Sequence, residues 1–435
     1  VLACLGALRL GRPVKWIEDR YENLIAANHS RQQRHRVRAA VDAAGRILAL
    51  DDEFFHDQGA YPRTHGARVA DLTSGMLPGP YHVPAYRVVA HYRLTNKTPA
   101  ATYRSPGRFE GSFVRERLMD AIADRLGIDR IEVRRRNLIP KAAMPYRREL
   151  DAIGDEVVLD SGDYSGLLDK ALAGAGWAAL QQDLKRRRAA GETVGAGVAM
   201  FLEKSGLGPR DGAHVTVDGT GGVEVVTGSA SVGQGVETVM AQICADALGV
   251  DYRRVRVIHG QTDRIAKGIG AHASRATVMT GSAVHIAASN VRAKAIEAAA
   301  RLMQVPPDAL DIVDGKVVRK DSADAISMDL GEIARAVERT PAALTAEGWF
   351  ETAHMNYPYG VHIAVVKVDR ETGGVVVERY LVAYDVGRAV NPMLVEGQMA
   401  GGFAQGLGGA LLEEFRYDER GQPLSVTFAD YLQPT

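Results

Sequence analysis

The hydrophobic pattern of Val223–Val250 changes period part-way. Val223, Val225 and Val226 are β-formers that stop at Gly228, after which Val236, Val239, Met240, Ile243, Ala247 and Leu248 recur at helical spacing up to Gly249. Gly233-Gln234-Gly235 lies between the two runs, so the stretch predicts strand, glycine loop and helix. Two glycines let backbone approach a ligand, the N–H groups of a helix start attract anions, and the Gln234 amide both donates and accepts. A plain tight turn accounts for the loop equally well.

The same patterning predicts a short strand at Val14–Ile17, strands at Arg34–Val41 and Arg46–Phe55 about an Asp42–Gly45 turn, and a strand at Tyr86–Leu94. The opening VLACLGALRLG reads as the tail of a helix. Gly59–Gly79, punctuated by Pro62, Gly66, Gly75 and Pro78, reads as loop. Phe113, Val114, Leu118, Ala121, Ile122 and Leu126 mark the apolar face of a helix ending at Gly127. Arg134–Arg136 read as a solvated or salt-bridged face. Leu168–Gln182 predicts a helix followed by a charged turn, KRRRAAGE. Val194–Leu202, His214–Val217 and Arg253–His259 predict strands, and an Ala-rich helix follows Gly281 through about Met303. Pro306–Arg339 gives short strands and a helix, and Gly360–Asp369 with Val375–Tyr384 a hairpin turning at Glu371–Gly374. Ile139–Asp163 is charged and weakly periodic, a connector between domains 1–145 and 160–435.

At 435 residues the chain exceeds one ordinary core, so two or three domains are expected. Lys+Arg and Asp+Glu are both 53, which gives no overall field to attract nucleic acid or a membrane. No apolar run is long enough to span a bilayer. Cys4 and Cys244 are the only cysteines, which excludes a disulfide framework, a Cys-built zinc site and an Fe–S cluster housed in this chain. His56, His65, His82 and His91 have no metal-ligand spacing, so no metal-ligating set is expected.

Four further places carry candidate chemistry. Arg104 stands on a Pro/Gly loop, Tyr103–Arg108, just before a helix; a guanidinium there suits a small anionic or carbonyl group, or a salt bridge to a nearby acid. Glu203 follows a strand end as a buried polar anchor or a site acid, the anchor being preferred. Thr262–Gly281 is a second glycine and hydroxyl loop: Ser274 and Thr277 can donate to phosphate oxygens, and N–H groups around Ala273 and Ser274 can hold an oxo or pyrophosphate group, with N-capping the alternative. Asp385–Phe415 spaces Gly397, Gly401, Gly402, Gly406, Gly408 and Gly409 for close approach on a helix that also carries Gln398 and Gln405. Amides, hydroxyls and backbone N–H groups without Cys or His ligands suit a phosphate-bearing organic cofactor that brings its own metal ligands. GQGVET is a partial dinucleotide fingerprint lacking its third glycine, which leaves an NAD-linked oxidoreductase as a weaker alternative.

Thr95–Leu138, TNKTPAATYRSPGRFEGSFVRERLMDAIADRLGIDRIEVRRRNL, resembles the large, molybdopterin-binding subunit of the xanthine dehydrogenase, aldehyde oxidase and aerobic carbon-monoxide dehydrogenase family. VKWIEDRYE, Val198–Gly208, Gly233–Gly235 and two later segments match in the same order. The resemblance implies an α+β fold of two molybdopterin-binding domains, mixed sheets packed with helices, with the cofactor held between them. It implies a molybdenum hydroxylase acting on an aldehyde or N-heteroaromatic substrate with water as oxygen source; a non-catalytic binding or scaffold subunit is the other class of reading. It assigns cofactor contacts to Gly233, Gln234, Gly235, Ala273, Ser274 and Gln398, and substrate charge stabilisation to Arg104. The implied cofactor is molybdenum-molybdopterin in the cytosine dinucleotide form, with 2Fe-2S and FAD on an iron-sulfur small subunit and an FAD-binding medium subunit, assembled as a dimer of heterotrimers in the cytoplasm. Both ends look cut: the family's catalytic Glu would lie beyond Thr435 and a glycine-phenylalanine loop before Val1, so the fragment is expected to be inactive alone.

Overall fold

Alternating burial along Gln33–Val41 and Ile47–Gly59 builds the first sheet, in which these strands pair antiparallel and Ala85–Leu94 joins the second in parallel. The Asp42–Gly45 turn closes on Asp42 Oδ1, which accepts the N–H groups of Ala44 and Arg46. These strands belong to one of two units in the computed structural model, which describes residues 1–63, 65–321 and 327–434. That unit comprises Val1–Glu203, Tyr359–Asp385 and Ala400–Thr435; the other comprises Lys204–Pro358 and Val386–Met399. Thr64 within the expected Gly59–Gly79 loop, residues 322–326 within Pro306–Arg339, and Thr435 lie outside the described residues.

In the first unit a second sheet orders Val375–Asp385, Tyr359–Val368 and Val194–Leu202, all antiparallel. The expected hairpin is there, and its Val194–Leu202 partner has the expected bounds. Five expectations need correcting. Val14–Ile17 has no strand to pair with and forms none; Trp16 and Ile17 are exposed. Gly59–Gly79 contains a helix, Gly66–Met76, that buries Val69, Ala70, Leu72 and Met76. Its Gly75 is there for packing: a Cβ would lie 2.7 Å from Asp151 O. The Ile139–Asp163 connector folds as a hairpin, Tyr146–Ala152 with Asp155–Leu159, burying Ala152, Val157 and Leu159. Leu168–Gln182 is two helices, Tyr164–Ala175 and Trp177–Ala189, broken where Gly176 takes φ 61°. The basic KRRR continues the second helix instead of turning, since cations suit its C-terminal end.

The fifth correction has the largest consequence. Helix Arg108–Leu126 buries only part of its expected apolar face: Ile122 is buried but Phe113 is 68% exposed, while Arg108, Glu110, Arg115 and Glu116 are buried with Met119 and Ala123. Burying charge is costly unless it is paired, and here it is. Arg115 donates to Met200 O at 2.7 Å and Leu77 O at 3.1 Å. Arg134, 1% exposed, takes the salt-bridged alternative and donates to Glu116 at 2.8 Å and Asp120 at 2.9 Å. Arg135 and Arg136 pair at the surface with Asp169 and Glu132.

In the second unit the opening motif is strand Val223–Thr227, a loop, and helix Val236–Leu248. The strand lies in a four-stranded sheet ordered Thr345–Glu351, Arg210–Val217, Val223–Thr227, Val255–Ile258, whose last pair is parallel. Helices Val236–Leu248 and Gly281–Met303 cover this sheet, with Val215, Val225, Met240, Cys244, Ala287 and Val291 in the core. The alanines let the long helix approach closely: a Cβ on Gly348 would lie 2.2 Å from Ala283 O. A small sheet, Leu310–Val313, Lys316–Arg319 and Met328–Asp329, leads into helix Leu330–Val337, whose start is a capping box of Asp329 and Glu332. Helix Pro392–Leu411 is counted with this unit up to Met399 and with the first from Ala400. Mixed sheets and packed helices in each unit make the chain α+β. Among the described residues no helix is long and apolar enough to cross a membrane.

Candidate cofactor loops and the arginine loop

Three candidate segments fall in the second unit: the loops around Gly233–Gly235 and Ala273–Ser274, and the helix start leading to Gln398. Contacts tie the first to each of the other two. Gly228, ending the strand before the first loop, lies back to back with Gly268 ahead of the second: a Cβ on Gly228 would sit 2.3 Å from Gly268 Cα. Gly235 packs on Leu394, one helical turn before Gln398; a Cβ there would meet the Leu394 side chain at 2.7 Å. Asn391, just before that helix, donates to Gln242 at 3.0 Å. Gly233 (φ 96°) faces open space where a side chain would stand.

The helix start after Gly235 is already served. Glu237 is held below the usual carboxylate range by its own backbone N–H and by His259, whose Nε2 lies 2.8 Å away. The Gln234 Oε1 accepts Val232 N–H at 2.7 Å, which fixes the side chain against its own loop. Gln398 stands on an exposed stretch of its helix.

The second loop is strained. Ala273 and Ser274 take φ 54° and 52°, left-handed backbone at two successive non-glycine residues, at a cost of about 1–3 kcal/mol each. Two features hold them there. Ser274 O accepts Gly206 N–H at 3.1 Å. Arg275, wholly buried, donates to Asp211 Oδ2 and Leu207 O at 2.8 Å, Arg210 O at 3.0 Å and Gly270 O at 3.2 Å. Asp211 is itself buried and also takes Thr280 Oγ1 at 2.6 Å. Sequence reasoning missed both residues; the available signal was a charge, Arg275, directly after Ala273 and Ser274 in a glycine and hydroxyl loop. Left-handed turns of this kind present backbone N–H groups to an anion.

Arg104 lies in the first unit, on a loop fixed from two sides. Glu203 is the anchor: it accepts Ser105 Oγ at 2.8 Å and Arg108 Nε at 3.0 Å, and Arg108 Nη2 closes the pair. On the other side Arg31 donates to Arg104 O at 2.5 Å and to Glu110 at 3.3 Å, while its guanidinium lies over the Phe109 ring at 4.2 Å and the Tyr103 ring at 4.7 Å. The Arg104 guanidinium itself rests on the glycine stripe: a Cβ on Gly402 would stand 3.4 Å from Nη2, and one on Gly401 3.5 Å from Nη1.

Two family profiles, each described as a molybdopterin cofactor-binding domain, match residues 1–138 and 170–435. The chain belongs to the molybdopterin cofactor-binding domain family. It is 40% identical over its whole length to the 6-hydroxypseudooxynicotine dehydrogenase complex subunit gamma of Paenarthrobacter nicotinovorans, covering 55% of that relative. It is 32% identical to the carbon monoxide dehydrogenase large chain of Hydrogenophaga pseudoflava, of which it covers 56%. Among solved structures, quinoline 2-oxidoreductase from Pseudomonas putida 86 superposes with TM-score 0.92 at 35% identity, all of this chain matching 57% of that one. The chain thus spans about half the length of the relatives it matches. Several of those relatives are subunits of multi-subunit enzymes. The donor set, left-handed and glycine backbone with side-chain hydroxyls and amides, fits the family's cofactor.

Proposed function

We propose that the chain is the molybdenum-cofactor-binding part of the catalytic subunit of a molybdenum hydroxylase acting on an N-heteroaromatic substrate. The observation that carries this reading is the coexistence of family cofactor loops with an arginine fixed at its backbone from both sides. Support for the ring class comes from relatives named for nicotine and quinoline chemistry. In this reading Gly233, Gln234, Gly235, Ala273, Ser274 and Gln398 hold the cofactor through hydrogen bonds. When bound, that group supplies the redox chemistry by which a ring or aldehyde C–H becomes C–OH with oxygen from water. Arg104 orients the substrate and stabilises the negative charge that develops on it, a role that suits a permanently charged fork.

The rest of the reading follows from the family. The domains divide near 145 and 160, the pterin is the cytosine dinucleotide form, and electrons leave through 2Fe-2S and FAD on partner subunits in a cytoplasmic assembly, a dimer of heterotrimers. The test is to purify the full-length protein with its neighbouring subunits and measure molybdenum, pterin and released nucleotide. Turnover is then assayed on pyridine- and quinoline-type rings and on aldehydes with a dye acceptor. Stoichiometric molybdenum and ring hydroxylation are expected. A metal-free protein with no turnover would support a binding or scaffold subunit instead.

A further inference from the structure

The Arg104 loop is unusual in how its backbone is held. Ser105 takes φ 58°, a left-handed conformation that a residue with a side chain adopts at a cost. The next residues, Pro106 and Gly107 (φ 73°), turn the chain into helix Arg108–Leu126. Partners on both sides of the loop hold this conformation. Glu203 gathers the Ser105 hydroxyl and the Arg108 guanidinium on one carboxylate, linking the residues on either side of the turn. Arg31 grips the Arg104 carbonyl from the opposite side; it too has a left-handed backbone (φ 74°) and is stacked on Tyr103 and Phe109. The strain is thus imposed by two separate elements, and its product is the placement of one side chain over Gly401 and Gly402.

We infer that Glu203 and Arg31 are positioning residues for Arg104. Glu203 fixes the peptide after Arg104 through Ser105 Oγ, and Arg31 fixes the Arg104 carbonyl. Neither needs to touch substrate. The inference rests on the role of Arg104 proposed above. Position matters here because a misplacement of about 1 Å costs on the order of 100-fold in rate. Glu203 is suited to the task because one carboxylate accepts both the Ser105 hydroxyl and the Arg108 guanidinium, and Arg31 because only a planar fork donates to Arg104 O and Glu110 while stacking on two rings.

The experiment uses the full-length subunit in its complex, carrying E203Q, S105A, R31K, R104A and the doubles E203Q/R104A and R31K/R104A. Molybdenum content and melting temperature are measured for each, with kcat and KM on quinoline. Expected are near-normal molybdenum, kcat/KM lowered about 10–100-fold in the E203Q and R31K singles, and no further loss when either joins R104A, because a residue acting through Arg104 has nothing left to position. S105A removes one small hydroxyl and stands in for E203Q if that variant fails to assemble. A crystal structure of E203Q or S105A supplies a readout free of turnover: the guanidinium should leave Gly402 by about 1 Å or more. R104A crippled while E203Q, S105A and R31K keep full activity and an unmoved guanidinium would overturn the inference. Additive losses in the doubles would also overturn it, marking Glu203 and Arg31 as merely structural. R104A with full activity would instead overturn the role proposed for Arg104, whatever the crystal structure shows.

Discussion

Replacing Arg275 with Met tests whether the Ala273–Ser274 loop is held by a buried ion pair. The side chain stays unbranched and apolar but loses the guanidinium and with it four hydrogen bonds, including the one to Asp211 Oδ2. Asp211 is then left 2% exposed with Thr280 as its remaining side-chain donor among the bonds described above. Removing one partner of a buried pair costs about 3–5 kcal/mol, because the other charge stays buried and unpaired. For a unit of 150–250 residues each kcal/mol is worth roughly 2–4 °C, so the melting temperature should fall by about 6–20 °C. Calorimetry on the full-length protein measures this, with Arg264→Ala as a control, since the Arg264–Glu224 pair lies at the surface. The double variant Arg275→Met, Asp211→Leu should recover most of the loss, because an apolar pair of similar volume avoids the stranded charge. A fall of less than about 3 °C for R275M, or a double variant no better than the single, would refute the reasoning.

Three other outcomes follow. His362, packed between Phe201 and Tyr380, is pushed down to about 4 by burial. It is neutral in the folded state and takes up a proton on unfolding, so stability is full above its ordinary value of about 6.5 and drains as pH falls towards 4; thermal melts from pH 7 to 4 should slope less in H362F, a residual slope coming from His29 and His56, which burial also lowers. An unchanged slope would dismiss His362 as a contributor. Gln234→Ala in the full-length protein should lower cofactor occupancy by leaving polar atoms unpaired; unchanged molybdenum content would count against that contact. Copper and CO oxidation should both be absent from the intact complex, since Ser105 beside Arg104 is a hard hydroxyl already given to Glu203, whereas Cu(I) selects soft thiolate; CO turnover with a dye acceptor would reverse this.

What the sequence disclosed depended on whether the signal was local. Val223–Leu248 folds as read, because period and glycine punctuation are properties of neighbouring residues. The hairpin at Tyr359–Asp385 was legible for the same reason. Helix Arg108–Leu126 was found but its buried face was only partly read, because that face carries charged residues whose partners are distant in the chain: Glu116 meets Arg134, and Arg115 meets Met200. A pattern rule assigns charge to water, and only the pairing reverses that. Helix Gly66–Met76 was hidden by glycines, which sit where other backbone comes close. The candidate loops and Arg104 were visible as motifs. The groups that hold them in shape, Arg275, Asp211 and Arg31, were not, since each acts through long-range contacts.

The back-to-back placement of Gly228 and Gly268 has a consequence for how this chain tolerates change. Each position leaves no room for a methyl group on the other's side, and the obstacle in both directions is main chain, which cannot swing away as a side chain can. A swap at one site therefore cannot be rescued by a swap at the other, because glycine is already the smallest residue available. In a saturation library the pair should stand out as two blank columns, 40 positions apart, with no compensating partner anywhere among the viable clones.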